Sequence, residues 1–189
     1  MTGHINAVNC VAFSADGKKV FSAGADKTLK EWDVATGTLI KSYNVNQPVN
    51  HIAVSPDNSL IVTSGGDKNN SKSTTQELLL WGADMVPKIL MGHTKPVLYS
   101  TFSTDSKKLI STSTDNCAIL WDIVTSLPLK KIDRHTRAVT SAGFINPESI
   151  LVTASTDGLS SFYTSTGDQI FSIALFNQGR EHVVFTPEN

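Results

Sequence analysis

One set of four residues recurs along this chain at fixed intervals, and that recurrence limits the fold more than any other feature. His4 is followed by Ser22, Asp26 and Trp32, and His93 by Ser111, Asp115 and Trp121, at the same steps of 18, 22 and 28 residues. His135, Thr153 and Asp157 keep the first two steps, with Tyr163 at the third. A degraded copy carries Thr63, Asp67 and Trp81, but Val45 stands where a histidine belongs. A period of about 41–45 residues marks a stack of small units, each unable to bury its apolar face alone. The 189 residues therefore read as a short array, an alternative that length by itself leaves open.

The residues between the fixed positions predict strands and turns. Ala7 to Phe13 reads as an inner strand, closed by the turn Ser14-Ala15-Asp16-Gly17. Val20 to Ala23, Thr28 to Trp32 and Leu39 to Tyr43 follow as three more strands, giving one four-stranded antiparallel unit over about 4–43. The second unit, about 45–91, starts at Val49 to Val54 and departs from the pattern after Asp67. There the polar insertion 68–77 lengthens the step to Trp81, and Gly82 stands in place of aspartate. Lacking aromatic residues, that insertion cannot build a core of its own and is expected as a surface loop, either a tolerated insertion or a contact or phosphorylation segment. The third unit covers about 93–132. The fourth covers about 135–174, with a turn at Asn146-Pro147-Glu148-Ser149. About 181–189 then matches the inner strand and first turn of a further unit. No helical period survives anywhere, so the class is all-β.

Gly-His opening and Trp-Asp closing each unit, as in Gly92-His93 and Trp121-Asp122, resembles the WD40 repeat family over nearly the whole chain. The resemblance implies a β-propeller with four four-stranded blades, expected as an incomplete ring, because propellers typically close with 4–8 blades and this family mostly with seven. Closure then falls to further repeats, a second copy or another chain, with further repeats preferred. The resemblance also implies that the recurring residues form one hydrogen-bonded tetrad per blade. Its members are His4, Ser22, Asp26 and Trp32; Thr63, Asp67 and Trp81; His93, Ser111, Asp115 and Trp121; and His135, Thr153, Asp157 and Tyr163. A Ser, His and Asp recurring together also suits a hydrolase. A nucleophile, however, needs one base and one oxyanion hole at a single site, and several copies tied to a strand-closing aromatic fit a structural unit better.

Family members contact partners through the residues three and five after the histidine and the one before the turn aspartate. Carried over by alignment, these are Ala7, Asn9 and Ala25; Pro48, Asn50 and Gly66; Pro96, Leu98 and Thr114; and Ala138, Thr140 and Thr156. None is charged or aromatic, so this face lacks the cations expected of a grip on phosphate. With net charge −1 and no basic run, direct nucleic-acid contact is not expected. Cys10 and Cys117 lie in predicted strands without metal-ligand spacing, and His51 and His182 are expected to be packed in inner strands, so no cofactor or metal is expected. No apolar run reaches membrane-spanning length, and the expected setting is cytoplasmic or nuclear. The function these readings imply is a non-enzymatic scaffold or adaptor that docks other proteins. Two alternatives stay open: the recognition module of a larger signalling or enzymatic protein, and a subunit of an RNA- or chromatin-associated complex.

Overall fold

The structure is a computed structural model describing residues 2–69, 77–145, 150–176 and 181–187. The turn at 146–149, most of the insertion (70–76) and the last two residues lie outside that description. Strands are the only regular elements among the described residues, and they fall into four antiparallel sheets. The first pairs β1 (Val8–Phe13), β2 (Lys19–Gly24), β3 (Thr28–Asp33) and β4 (Leu39–Asn44) in chain order. The second runs through β5 (Val49–Val54), β6 (Ile61–Gly65), β7 (Leu78–Trp81) and β8 (Pro87–Leu90). The third holds β9 (Val97–Phe102), β10 (Lys108–Ser113), β11 (Ala118–Asp122) and β12 (Leu127–Ile132).

The fourth sheet has one strand more than expected. After β13 (Val139–Ile145), β14 (Ile150–Ser155), β15 (Leu159–Thr164) and β16 (Gln169–Phe176), β17 (Glu181–Phe185) pairs antiparallel onto β16. The segment expected to stand alone as the inner strand of a further blade thus lies on the outer edge of the fourth. The physical reason is plain: the outer edge of β16 offers unpaired backbone groups, and a strand that follows it through a short connection satisfies them. His182, expected to be packed, is exposed on this added strand.

The sheets stack in sequence. β1 lies beside β5, β5 beside β9 and β9 beside β13, so the four inner strands form a row. Three apolar clusters fill the gaps. Phe21, Ala23 and Leu29 meet Ile52, Ile61 and Trp81 between the first two sheets. Val62 and Leu78 meet Val97, Leu109 and Trp121 between the next two, and Ile110 and Leu120 meet Leu151 and Tyr163 between the last two. Each interface uses the alternation of a strand: odd and even residues serve the neighbours on opposite sides. No cluster joins the fourth sheet to the first among the described residues, and the arc is unclosed. Exposure marks the open end. Val8, Val11 and Phe13 on β1 are 48%, 63% and 61% exposed, while Val49 and Ile52, at the matching places on β5, are 0% and 3%.

Candidate functional site

The residues at the recurring positions come from different elements of each blade. The histidine lies in the loop before the inner strand, the Ser or Thr on the second strand, the aspartate in the turn after it, and the aromatic on the third. In the first blade His4 Nδ1 lies 2.7 Å from Asp26 Oδ2 and Nε2 2.7 Å from Ser22 Oγ, while Trp32 Nε1 donates to Ser22 Oγ at 2.8 Å. The third blade repeats this with His93, at 3.0 Å to Asp115, 2.8 Å to Ser111, and 2.8 Å from Trp121 Nε1 to Ser111. In the fourth, His135 meets Asp157 at 2.8 Å and Thr153 at 2.7 Å.

Donor and acceptor chemistry gives this chain a direction. An ionised carboxylate only accepts, so Nδ1 carries the imidazole proton, and Nε2 accepts from the hydroxyl whose oxygen receives the indole N–H. The backbone N–H after each histidine donates to the same carboxylate, from Ile5 at 3.2 Å, Thr94 at 2.9 Å and Thr136 at 3.1 Å. Burial pushes Asp26 and Asp115 upward, but the bonds from His4 and His93 together with the other donors, Thr28 and the Ile5 N–H on Asp26 and the Thr94 and Cys117 N–H groups on Asp115, outweigh it and leave both carboxyls below their usual range. Asp157 is lowered likewise, against burial, by the Leu159 N–H and His135. Ser111 and Thr153 are wholly buried, and an indole covers the Ser111 oxygen, so this hydroxyl has no access to a substrate carbonyl. The arrangement ties loop, turn and strands together at one end of each blade.

The second blade solves the same problem without a histidine. Trp81 Nε1 still donates to Thr63 Oγ1 at 3.0 Å, but Val45 is buried in the apolar cluster and Asp67 accepts from the Asn69 N–H. The tie is made by Gln47, buried two residues later: its Nε2 donates to the Glu77 carbonyl at 2.9 Å, and its Oε1 accepts the Glu77 N–H at 3.2 Å. Sequence reasoning missed Gln47; its signal was a bondable amide beside the vacated histidine position.

A second repeated network holds the opposite ends. Ser14, Ser55 and Ser103 donate to Asp16, Asp57 and Asp105 two residues on, at 2.6, 2.6 and 2.7 Å. The Ser55 hydroxyl, with the Ser59 N–H, brings the Asp57 carboxyl down to about 2. The turns also touch across blades: Ala15 N–H donates to Asn58 Oδ1 at 2.5 Å, and Asp57 N–H to Ser106 Oγ at 3.3 Å.

The twelve residues assigned to a partner-binding face form four matching groups. In each blade the residue before the turn aspartate donates its N–H to the residue three after the histidine position. The pairs are Ala25 to Ala7, Gly66 to Pro48, Thr114 to Pro96 and Thr156 to Ala138. Asn9, Asn50, Leu98 and Thr140 are each the residue skipped where the inner strand shifts register, and such bulges re-aim a side chain. Asn9 uses its new direction to donate to the Val49 carbonyl at 2.8 Å, and Asn50 reaches the Val97 carbonyl at 2.9 Å, so both clamp neighbouring inner strands. Gly66 and Pro96 are buried; Ala7, Asn9, Thr140 and Thr156 are exposed. Between the first two blades this end opens into a cavity of about 320 Å³ lined by Ala7, Asn9, Ala25, Pro48, Asn50 and Gly66, with Asp67 and Lys68 at its rim. The cysteines are free thiols, and burial pushes that of Cys10 up to about 12. The His51 ring packs against Tyr99, tilted by 37° with ring centroids 4.1 Å apart, and desolvation lowers its pKa. No group of three or more His, Cys, Asp or Glu among the described residues is placed to hold a metal, and no helix among them is long and apolar enough to cross a membrane.

Known proteins share this pattern. The family model described as WD domain, G-beta repeat matches residues 1–33, 37–69 and 86–122, more than half of the chain. The chain is similar to Periodic tryptophan protein 2 of Arabidopsis thaliana, 28% identical over 185 residues, which is 96% of this chain and 20% of that protein. It is similar also to the Ribosome biogenesis protein WDR12 homolog of Trichoplax adhaerens, 29% identical over 80% of this chain and 35% of the relative. With the Serine-threonine kinase receptor-associated protein of Mus musculus it shares 27% identity over 79% of this chain and 41% of the relative. The chain therefore spans well under half the length of these curated relatives.

Proposed function

This chain belongs to the WD domain, G-beta repeat family, and from that premise we propose that it is a non-enzymatic scaffold that docks other proteins within a multiprotein assembly. The observation that carries the reading is the face at the histidine-loop end. It is a small, neutral surface held rigid by a backbone bond and a bulge in every blade, with a 320 Å³ cavity between the first two blades. Such a surface suits an uncharged peptide segment, whose backbone finds polar partners at Asn9 and Asn50 while its side chains meet Ala7, Ala25 and Pro48. The recurring Ser, His and Asp serve the fold, since their polar atoms are used up by one another.

The relatives suggest two settings for such a scaffold. One is named for ribosome biogenesis and another for association with a receptor kinase. A role in ribosome assembly, as part of an RNA-associated complex, is the reading we favour; it would place the chain in the nucleus. The unclosed arc adds a second proposal: the open sides of the first and fourth blades receive further blades. Val8, Val11 and Phe13 then occupy the same environment as Val49 and Ile52.

The test is quantitative affinity capture with two charge variants. Ala7→Arg with Thr114→Arg adds two positive charges to the histidine-loop face, and Ala15→Arg adds one to the opposite turns. Proteins lost with the first variant and kept with the second support the docking face. The same captured set with both variants would count against it.

A further inference from the structure

The fourth blade differs from the first and third at two neighbouring positions, and a cavity lies beside them. In the first and third blades a glycine precedes the histidine because the indole fills the space beside it. A Cβ on Gly92 would meet Trp121 Cη2 at 2.9 Å, and one on Gly3 would meet Trp32 Cη2 at 3.2 Å. The fourth blade has Tyr163 in place of the indole and Arg134 in place of the glycine. Next to them lies a cavity of about 330 Å³ between the end of β12 in the third blade and Tyr163, Gly167, Asp168 and Gln169 of the fourth. Tyr163 lines it, is 1% exposed, and its hydroxyl has no hydrogen-bond partner. A buried hydroxyl of this kind calls for a ligand atom. The charged groups on the walls are Lys130, Lys131, Arg134, Asp133 and Asp168. Asp168 is already paired with Lys130 at 3.1 Å, whereas Arg134 has no ion-pair partner among the described residues.

We propose that this cavity binds a carboxylate presented by a partner peptide, with the Arg134 guanidinium as its counter-ion and the Tyr163 hydroxyl as a second donor. A single negative charge suits walls on which cations outnumber carboxylates by one, and a planar guanidinium matches a carboxylate through two parallel hydrogen bonds. The volume admits one side chain or chain end, not a folded surface. The inference deepens the docking role proposed above, but none of its residues is among the twelve of the docking face, so the two fail separately.

The experiment uses the full chain and three fluorescent probes read by anisotropy. These are a C-terminally amidated hexaglutamate, a glycine–serine hexapeptide with a free C-terminal carboxylate, and a twelve-residue oligouridine. Binding of either peptide is expected, weakened at least about fivefold by Arg134→Ala and about threefold by Tyr163→Phe. Which peptide binds tells a side-chain carboxylate from a chain end. Arg134 is exposed and Tyr163→Phe keeps the ring, so both variants should fold, and circular dichroism checks this. Three results would overturn the proposal: neither peptide binds; binding ignores Arg134→Ala; or Tyr163→Phe raises the melting temperature with no effect on binding, as deletion of an unused buried hydroxyl would. Oligouridine binding more tightly than both peptides would equally reject it in favour of a nucleic-acid surface.

Discussion

Ser111→Ala removes a single oxygen from the centre of the third blade, and the structure fixes what that oxygen does. It accepts the Trp121 indole N–H at 2.8 Å and, through its own proton, meets His93 Nε2 at 2.8 Å, in a place with no solvent exposure. Alanine is nearly the same size, so the cavity term is small, and the cost is that of two buried polar atoms left without partners. At about 1–3 kcal/mol for each, the loss should be about 2–6 kcal/mol, a large share of a typical stability. Ser111→Thr is the control. Threonine holds the same position in the second and fourth blades, as Thr63 accepting from Trp81 and Thr153 meeting His135, so that variant should cost no more than about 1 kcal/mol. Urea unfolding followed by tryptophan fluorescence measures both, and proton exchange at the Trp121 indole reports on the bond itself. A Ser111→Ala chain within about 0.5 kcal/mol of the parent, with the Trp121 indole still protected, would refute the reasoning.

Trp121→Ala empties a fully buried indole site between the second and third blades and should cost about 3–5 kcal/mol, seen as a large fall in melting temperature. Gly92→Ala drives a Cβ to within 2.9 Å of Ile119 Cδ1 and Trp121 Cη2; a loss of about 1–3 kcal/mol is expected, smaller than for the indole truncation. Acid should unfold the chain in a defined window. The carboxyls of Asp16, Asp57 and Asp105 are lowered in the fold, first by the hydroxyls of Ser14, Ser55 and Ser103. Their stabilisation is present above the ordinary 3.8 and drains away as pH falls toward the 2 of Asp57, so urea midpoints should drop below pH 4 and Asp57→Asn should flatten that drop. Light scattering tests the open sides: with Val8, Val11 and Phe13 exposed, the isolated 189-residue chain should self-associate, and a compact, cooperatively melting monomer would contradict their role as docking faces.

How far the sequence could be read depended on whether a feature repeats. The strands and their order follow from the repeated turns and spacings, and the meeting of His4, Asp26, Ser22 and Trp32 is what the family resemblance carried by those spacings implies. The twelve face residues could be aligned, but not their states. That Gly66 and Pro96 are buried while Ala7 and Thr156 are exposed depends on how neighbouring blades overlap. Features occurring once were the ones missed. Gln47 performs in the second blade the joining that a histidine performs elsewhere, yet it sits two places from the aligned position and bonds to the backbone of Glu77 instead of a turn carboxylate. β17 resembles an inner strand in its residues, and only the free edge of β16 decides that it pairs outward. The same logic bears on the fourth blade. By position alone Tyr163 takes the tryptophan's place in the tetrad, a role its unbonded hydroxyl does not fill. Set beside Arg134, it is half of an exchange: the smaller ring gives up the bond to Thr153, and the space it vacates lies against a cation with no partner among the described residues. An exchange that only weakened the blade would need no arginine, and so the departure from the repeat is the place to look for what is particular to this chain.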